Sequence, residues 1–407
     1  MKYLAGLLLL SLGIFAARKV GKITNLSTPF RNLGIFNLHY MLAGIIITLL
    51  IPEDFMLTFE SIRGIVLTFG LCWIGLYYGC GLELRVHQRF PSQIILFNII
   101  EPVIVFAVVS AVSVVYLYFK VKGWHHTSTA LMIGLFASFT MFRRRGIMYR
   151  MNDTSHHPIL DNLLPVGDIF PITGLALLTM LLFDIPEITI LDHTFTSAFA
   201  IFILQLITGL TGGILLNMLI SGTDSSDSLS VVLLGGSILI GGIAFTLSFS
   251  PLFIGTVSGF FLINSSLKRL QTLEALNDSH TLIEKIFMFC LGTMVTPLVI
   301  LLKMKMIYIF ISAVGLFALR AVVKYILSMI WISRKLSISN GSPILWIGLT
   351  GQGILASAAA LECSYNVPRF TSVFSLFIIL LVLNQFTIGM YVWIREKAPD
   401  IEDAENA

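Results

Sequence analysis

Asp168, Glu101, Arg320 and Lys324 are ionisable side chains set deep inside otherwise apolar stretches of the sequence. A charge at the centre of a bilayer costs several kcal/mol, so such residues by default mark paths for ions or protons. Asp168 stands in Leu164-Pro165-Val166-Gly167-Asp168-Ile169-Phe170-Pro171. Its oxygens are hard ligands suited to a small cation. A carboxyl in a low dielectric also holds its proton more tightly than one in water, so proton and cation can occupy the same oxygens in turn. The competing reading is a structural acid paired with Arg320 or Lys324. Those two bases are four residues apart and therefore share one helical face. Glu101, before Pro102, fits an ion pair or a helix-end charge as well as a direct part in transport. Glu362, Lys285 and Asp161 sit near the ends of apolar segments, where a long side chain can reach water.

Two apolar segments carry signs of interruption, as expected where broken helices expose backbone groups at a transport site. One contains Ala137-Ser138-Phe139-Thr140 and stops at Arg143-Arg144-Arg145-Gly146. The other contains Gly348-Leu349-Thr350-Gly351-Gln352-Gly353, too rich in glycine and polar groups for a comfortable unbroken helix. The glycines at 235/236, 241/242 and within Gly255-Thr256-Val257-Ser258-Gly259 read as helix-packing contacts. His125/His126 and His156/His157 read as interfacial residues rather than pH sensors, and Trp73, Trp124 and Trp346 as packing or belt residues. Cys72, Cys80, Cys290 and Cys363 lie in or at the ends of apolar segments without metal-ligand spacing, and read as small core residues.

The elements that position these groups must be membrane helices. The chain is 56% hydrophobic and 12% charged, outside the soluble globular range. Its net charge of +4 is no nucleic-acid signal. With roughly 20 apolar residues per crossing, about thirteen spans are expected. They fall near 2–17, 35–51, 60–82, 93–119, 126–142, 161–183, 195–220, 229–248, 250–266, 281–302, 305–331, 342–363 and 369–394. The least secure division is Ser248–Ser250, between the eighth and ninth. Met1 to Ala17 imitates a signal peptide, but Arg18, Lys19 and Lys22 follow the apolar run, so it reads as a first span.

Basic residues in short loops favour the cytoplasmic side. Loops after odd-numbered spans hold Arg18, Arg31, Arg85, Arg89, Arg143 to Arg145, Lys268, Arg269, Arg334, Lys335, Arg395 and Lys397. Even-numbered loops hold Lys120, Lys122, Lys303, Lys305 and Arg369, alongside the acidic Glu53, Asp54, Asp184, Glu187 and Asp192. This alternation predicts the N-terminus outside and the C-terminus, with its short acidic tail at 395–407, in the cytoplasm. Spans four to six and eleven to thirteen, about 91–183 and 305–394, look like inverted repeats, since an offset of seven spans turns one against the other.

In this order the segments resemble the monovalent cation:proton antiporter family of the sodium/hydrogen exchanger and Kef type. Leu42-Ala43-Gly44, Gly79-Cys80-Gly81-Leu82-Glu83-Leu84, Leu131-Met132-Ile133-Gly134 through Thr140, Gly167-Asp168, Ser250 through Gly259, and Leu319-Arg320-Ala321-Val322-Val323-Lys324 carry the resemblance. It implies a scaffold domain that dimerises and a mobile core domain holding both broken helices. It further implies that Asp168 binds the ion, that Ser138 and Thr140 assist, and that Arg320 matches the basic position near the crossing. Gly167 stands where the family has a polar partner, and Ile354 where an acid is expected after Gly351-Gln352-Gly353.

The fold expected is therefore an all-α polytopic membrane protein with the sodium/proton-antiporter fold, inverted repeats and two broken helices, forming a single transmembrane domain over 1–407. The function expected is secondary active exchange of H⁺ for Na⁺ or K⁺ by alternating access, a transporter and not an enzyme. No cofactor is expected beyond the transported ions, with Asp168 as the transient metal ligand, Arg320, Lys324 and Glu101 as supporting charges, and Gly348, Thr350, Gly351, Gln352 and Gly353 as broken-helix backbone. The partners are the lipid bilayer and a second copy in a homodimer, with no nucleic acid, and a bacterial inner membrane is the expected location. Rival readings are a sodium-coupled organic-anion symporter, needing a large polar cavity, and a non-transporting sensor or partner protein, needing Asp168 fully ion-paired. A K⁺ efflux channel-like member usually needs a C-terminal regulatory domain.

Overall fold

The computed structural model describes residues 37–50, 53–88, 92–120, 126–140, 166–182, 188–190, 193–195, 197–223, 225–301, 306–331, 352–366 and 374–384. The first expected span and the acidic tail lie outside them, as do Gly348, Thr350 and Gly351, Asp161, both histidine pairs except His126, Trp124 and Trp346.

Helices account for nearly all of the described chain. They are α1 (Leu38–Leu50), α2 (Glu53–Cys80), the short α3 (Leu84–His87), α4 (Ser92–Lys120), α5 (His126–Ser138) and α6 (Ile169–Leu182). After them come α7 (Ala198–Ser221), α8 (Ser226–Thr246), α9 (Pro251–Ser265), α10 (Arg269–Leu301), α11 (Met306–Trp331), α12 (Ile354–Asn366) and α13 (Phe374–Asn384). Between α6 and α7 the short segments Ile188–Ile190 and His193–Phe195 pair as a small antiparallel ribbon. Among the described residues, five helices are long and apolar enough to cross a bilayer, and six shorter apolar ones accompany them. Apolar side chains such as Phe199, Met218, Val231, Ile307 and Met329 are exposed along α7, α8 and α11, which is how a lipid-facing surface reads.

The division expected at Ser248–Ser250 is present. Ser248 takes a left-handed backbone (φ 55°), the Ser250 amide donates to Gln205 Oε1, and the Ser250 hydroxyl accepts from the Phe253 amide to cap α9, whose first residue is Pro251. Two spans begin earlier than expected, the one at 60–82 starting at Glu53. The segment expected at 281–302 begins instead at Arg269, because the polar turns from Arg269 to His280 continue the helix although no apolar window marks them.

The helices pack as two bodies that share one continuous apolar core. In one, α2 packs most extensively on α9, α1 on α10, and α7 on α9 and α8. The interlock of α2 and α9 depends on glycine: a Cβ at Gly75 or Gly79 would stand 2.2 or 2.1 Å from the carbonyl oxygens of Leu252 and Thr256. On the facing helix, a Cβ at Gly255 or Gly259 would stand 2.2 Å from those of Cys72 and Leu76. Two Gly-x-x-x-Gly repeats thus bring the backbones together, as packing in lipid favours. Gly236 and Gly241 are also contacts, whereas Gly235 and Gly242 face open space and are not. All four cysteines are buried and free. In the second body α4 packs on α5 and α11, with α6 lying against α5 and also against α7 and α9 of the first. Here polar faces turn inward: Asn98, Glu101, Ser110 and Ser113 are buried on α4, and Arg320, Lys324 and Ser328 on α11. α12 touches both bodies.

Candidate functional site

The second body is built around the ends of two helices. α5 stops at Ser138 and α12 begins at Ile354, after Gln352 and Gly353 in non-helical conformation. A helix end in a membrane leaves carbonyls that water cannot satisfy, so each needs an internal donor. Those of α5 have them. The Leu135 carbonyl accepts from the Ser138 hydroxyl (2.6 Å) and the Phe136 carbonyl from Gln352 Nε2 (2.8 Å). Arg320 donates through Nε to the Ala137 carbonyl and through Nη2 to the Phe139 carbonyl, both at 2.7 Å. Its third arm, Nη1, donates to Asn384 Oδ1 (2.9 Å), and Asn384 Nδ2 donates to Gln352 Oε1 (2.9 Å). One guanidinium, placed where the dipole of α5 is negative, therefore ties α5, α11, α13 and the start of α12 into a closed network.

Asp168 lies at the turn before α6 and is fully buried. Its Oδ1 accepts from the backbone amide of Thr140 (2.7 Å) and from the Thr140 hydroxyl (3.0 Å). Oδ2 makes no hydrogen bond among the described residues. The nearby base is occupied elsewhere: Lys324 Nζ is 2.8 Å from Glu101 Oε1, and both groups are buried. Tyr78 of α2, on the other body, lies close enough to interact electrostatically with Asp168. Gly167 has a steric reason, since a Cβ there would press to 3.0 Å from the Asn98 carbonyl of α4.

The site is a half-held carboxyl. One oxygen is fixed by two donors, and the other is buried without a hydrogen bond among the described residues. The fixed oxygen sets the orientation, and the second can take a proton or enter the coordination shell of a cation. The carbonyl-rich end of α5 is already satisfied by Arg320, so it does not compete for the incoming ion.

The sequence matches no protein-family model and no curated protein. Solved structures do match. The sodium proton antiporter MjNhaP1 from Methanocaldococcus jannaschii at pH 8 aligns over 97% of this chain and 98% of its own, with a TM-score of 0.65 and 13% identity. A second structure of that antiporter, from an electron-microscopy map, aligns over 98% and 100% with a TM-score of 0.62 and 16% identity. The chain has the sodium/proton-antiporter fold.

Within that fold the structure brings Asp168, Thr140, Arg320 and Gln352 to one place, as the sequence suggested. Ser138 is buried beside them, but its hydroxyl donates to its own helix and makes no bond to Asp168. Arg320 and Lys324 share a face, yet they do different work: the first binds carbonyls, and the second binds Glu101. Gly353 precedes α12, and its carbonyl accepts from Ser357. Asn384 went unrecognised in the sequence. As a lone amide in the apolar run of the last span, it carried the same signal of an intramembrane polar residue as Asp168 did. Glu362 was expected to reach water from a span end; instead it is buried, at 1% exposure.

Proposed function

We propose that this protein exchanges protons for a monovalent cation, Na⁺ or K⁺, across the membrane, with Asp168 as the shared site. One observation carries the reading: Asp168 is buried, held at one oxygen by Thr140, unbonded among the described residues at the other, and not paired to the neighbouring lysine. A purely structural acid at this position would have its charge cancelled by Lys324 or Arg320. Competition then couples the fluxes, because a cation enters only when the proton has left and a proton returns only when the cation has gone. A single carboxyl sets one proton against one monovalent cation at this site.

Movement of the Asp168 body against the α2–α9 body supplies alternating access in this account. The cation:proton exchange named for MjNhaP1, which has the same fold, supports it. The inverted repeats at 91–183 and 305–394 belong to the same reading. The alternation of basic loops supports a cytoplasmic C-terminus.

The test is ΔpH-driven cation flux in proteoliposomes holding the wild-type protein or Asp168→Asn. Exchange confined to the wild type is expected. Undiminished exchange by the variant rejects the site.

A further inference from the structure

Glu362 is a second buried acid, and exchange at Asp168 leaves it without a task. It lies on α12 eight residues beyond Ile354, about 12 Å along the helix from its start. It faces the first turn of α9, where the Ser250 hydroxyl and the Leu252 amide are turned towards it. Neither carboxyl oxygen completes a hydrogen bond among the described residues, and no base among them is paired with it. The Ser250 hydroxyl caps the Phe253 amide, so the Leu252 amide is the donor of that turn which Glu362 faces, as an acid at a helix N-terminus does.

The same carboxyl lines a cavity of about 270 Å³, shared with Thr68 of α2, Ser248 and Phe249 of the α8–α9 turn, and Leu361. That volume holds several waters, and the hydroxyls and the carboxyl supply the polar partners that water needs. Among the described residues the groups around Glu362 are Thr68 from α2, Ser248 and Ser250 from the turn, and Cys363 on α12 itself, and none of these is charged. The cavity lies where α12 meets α2 and α9, between the two bodies. By the distribution of basic loops, α12 runs outward from Arg334 and Lys335, which puts Glu362 on the outer side of Gln352.

We infer that Glu362 is a second proton-binding carboxyl, which exchanges protons with water in this cavity and serves the outer approach to Asp168. The step is a simple transfer: the carboxylic acid gives its proton to cavity water and becomes a carboxylate, and the reverse reloads it. The inference rests on exchange at Asp168, and its test separates the two.

Proteoliposomes with the pH set independently on each face, holding wild type, Glu362→Gln or Glu362→Asp, give the first measurement. Glu362→Gln is expected to shift the outer-face pH of half-maximal exchange by about one unit, a tenfold change in apparent proton affinity. The inner-face value stays in place, and Glu362→Asp restores the outer one in part. Infrared difference spectra on pH titration give a measure that needs no turnover. Wild type should show a titrating carboxylic band that Asp168→Asn retains and Glu362→Gln lacks. An unchanged outer-face pH profile in Glu362→Gln, or the same titrating bands in that variant, overturns the role of Glu362 while leaving Asp168 standing. Exchange that survives Asp168→Asn overturns the reading on which it rests.

Discussion

Lys324 places its ammonium 2.8 Å from Glu101 Oε1, leaving Asp168, its other acidic neighbour, without a salt bridge among the described residues. Pairing one base with one acid keeps three buried charges from collapsing into a locked triad, and the acid left over is the one at the helix break. A buried pair is costly to split but replaceable as a unit. Glu101→Gln should therefore harm exchange more than the double change Glu101→Leu with Lys324→Met. In the single variant, the released ammonium becomes a partner for Asp168. Flux assays on both variants at matched expression check this ordering; the reverse order would assign Glu101 a direct part in transport.

The Thr140 hydroxyl supplies one of the two bonds to Asp168 Oδ1, and the backbone amide supplies the other. Thr140→Val removes only the first. A hydrogen bond to a charged group is worth roughly 1.5–3 kcal/mol, so apparent cation affinity should fall by roughly tenfold or more. Thr140→Ser should stay near wild type. The KM for the cation at fixed pH reads this directly.

Arg320 satisfies two backbone carbonyls and Asn384 with one planar group. Replacing it by alanine removes all three hydrogen bonds and leaves the two buried carbonyls without this donor, at about 1–3 kcal/mol each. Arg320→Ala is expected to lower thermal stability sharply in detergent. Arg320→Lys should recover only part of it, because an ammonium cannot reproduce the fork geometry. Unfolding monitored by intrinsic fluorescence checks both.

Glycines in this sequence look alike and do different things. Gly79→Leu places side-chain atoms into the Thr256 backbone, where even a Cβ would come to 2.1 Å. It should cost well over 1 kcal/mol, as overpacking does. Gly235→Ala meets nothing within 4 Å and should be neutral or slightly stabilising. Paired melting curves distinguish them.

This contrast shows where sequence reading stops. Asp168, Thr140, Arg320 and Gln352 stood out in the sequence because a polar group in an apolar run is rare and expensive. The direction in which each points was not legible there. Ser138 and Thr140 flank one phenylalanine in the same break, yet only Thr140 reaches Asp168, because the chain leaves helical conformation after Ser138. Glu362 read as a span-end residue because hydropathy gives depth along a helix and says nothing of the α9 turn packed across it. The polar start of α10 was missed for a related reason: hydropathy windows detect the apolar part of a helix and not its continuation towards water.

The claim at the centre is that proton and cation compete for one carboxyl. Proton release into weakly buffered detergent solution, on adding Na⁺ or K⁺ to the purified protein, tests it most directly. The account predicts close to one proton released per cation bound in the wild type and none from Asp168→Asn. Equal release from the variant, or cation binding by the wild type without release, contradicts it.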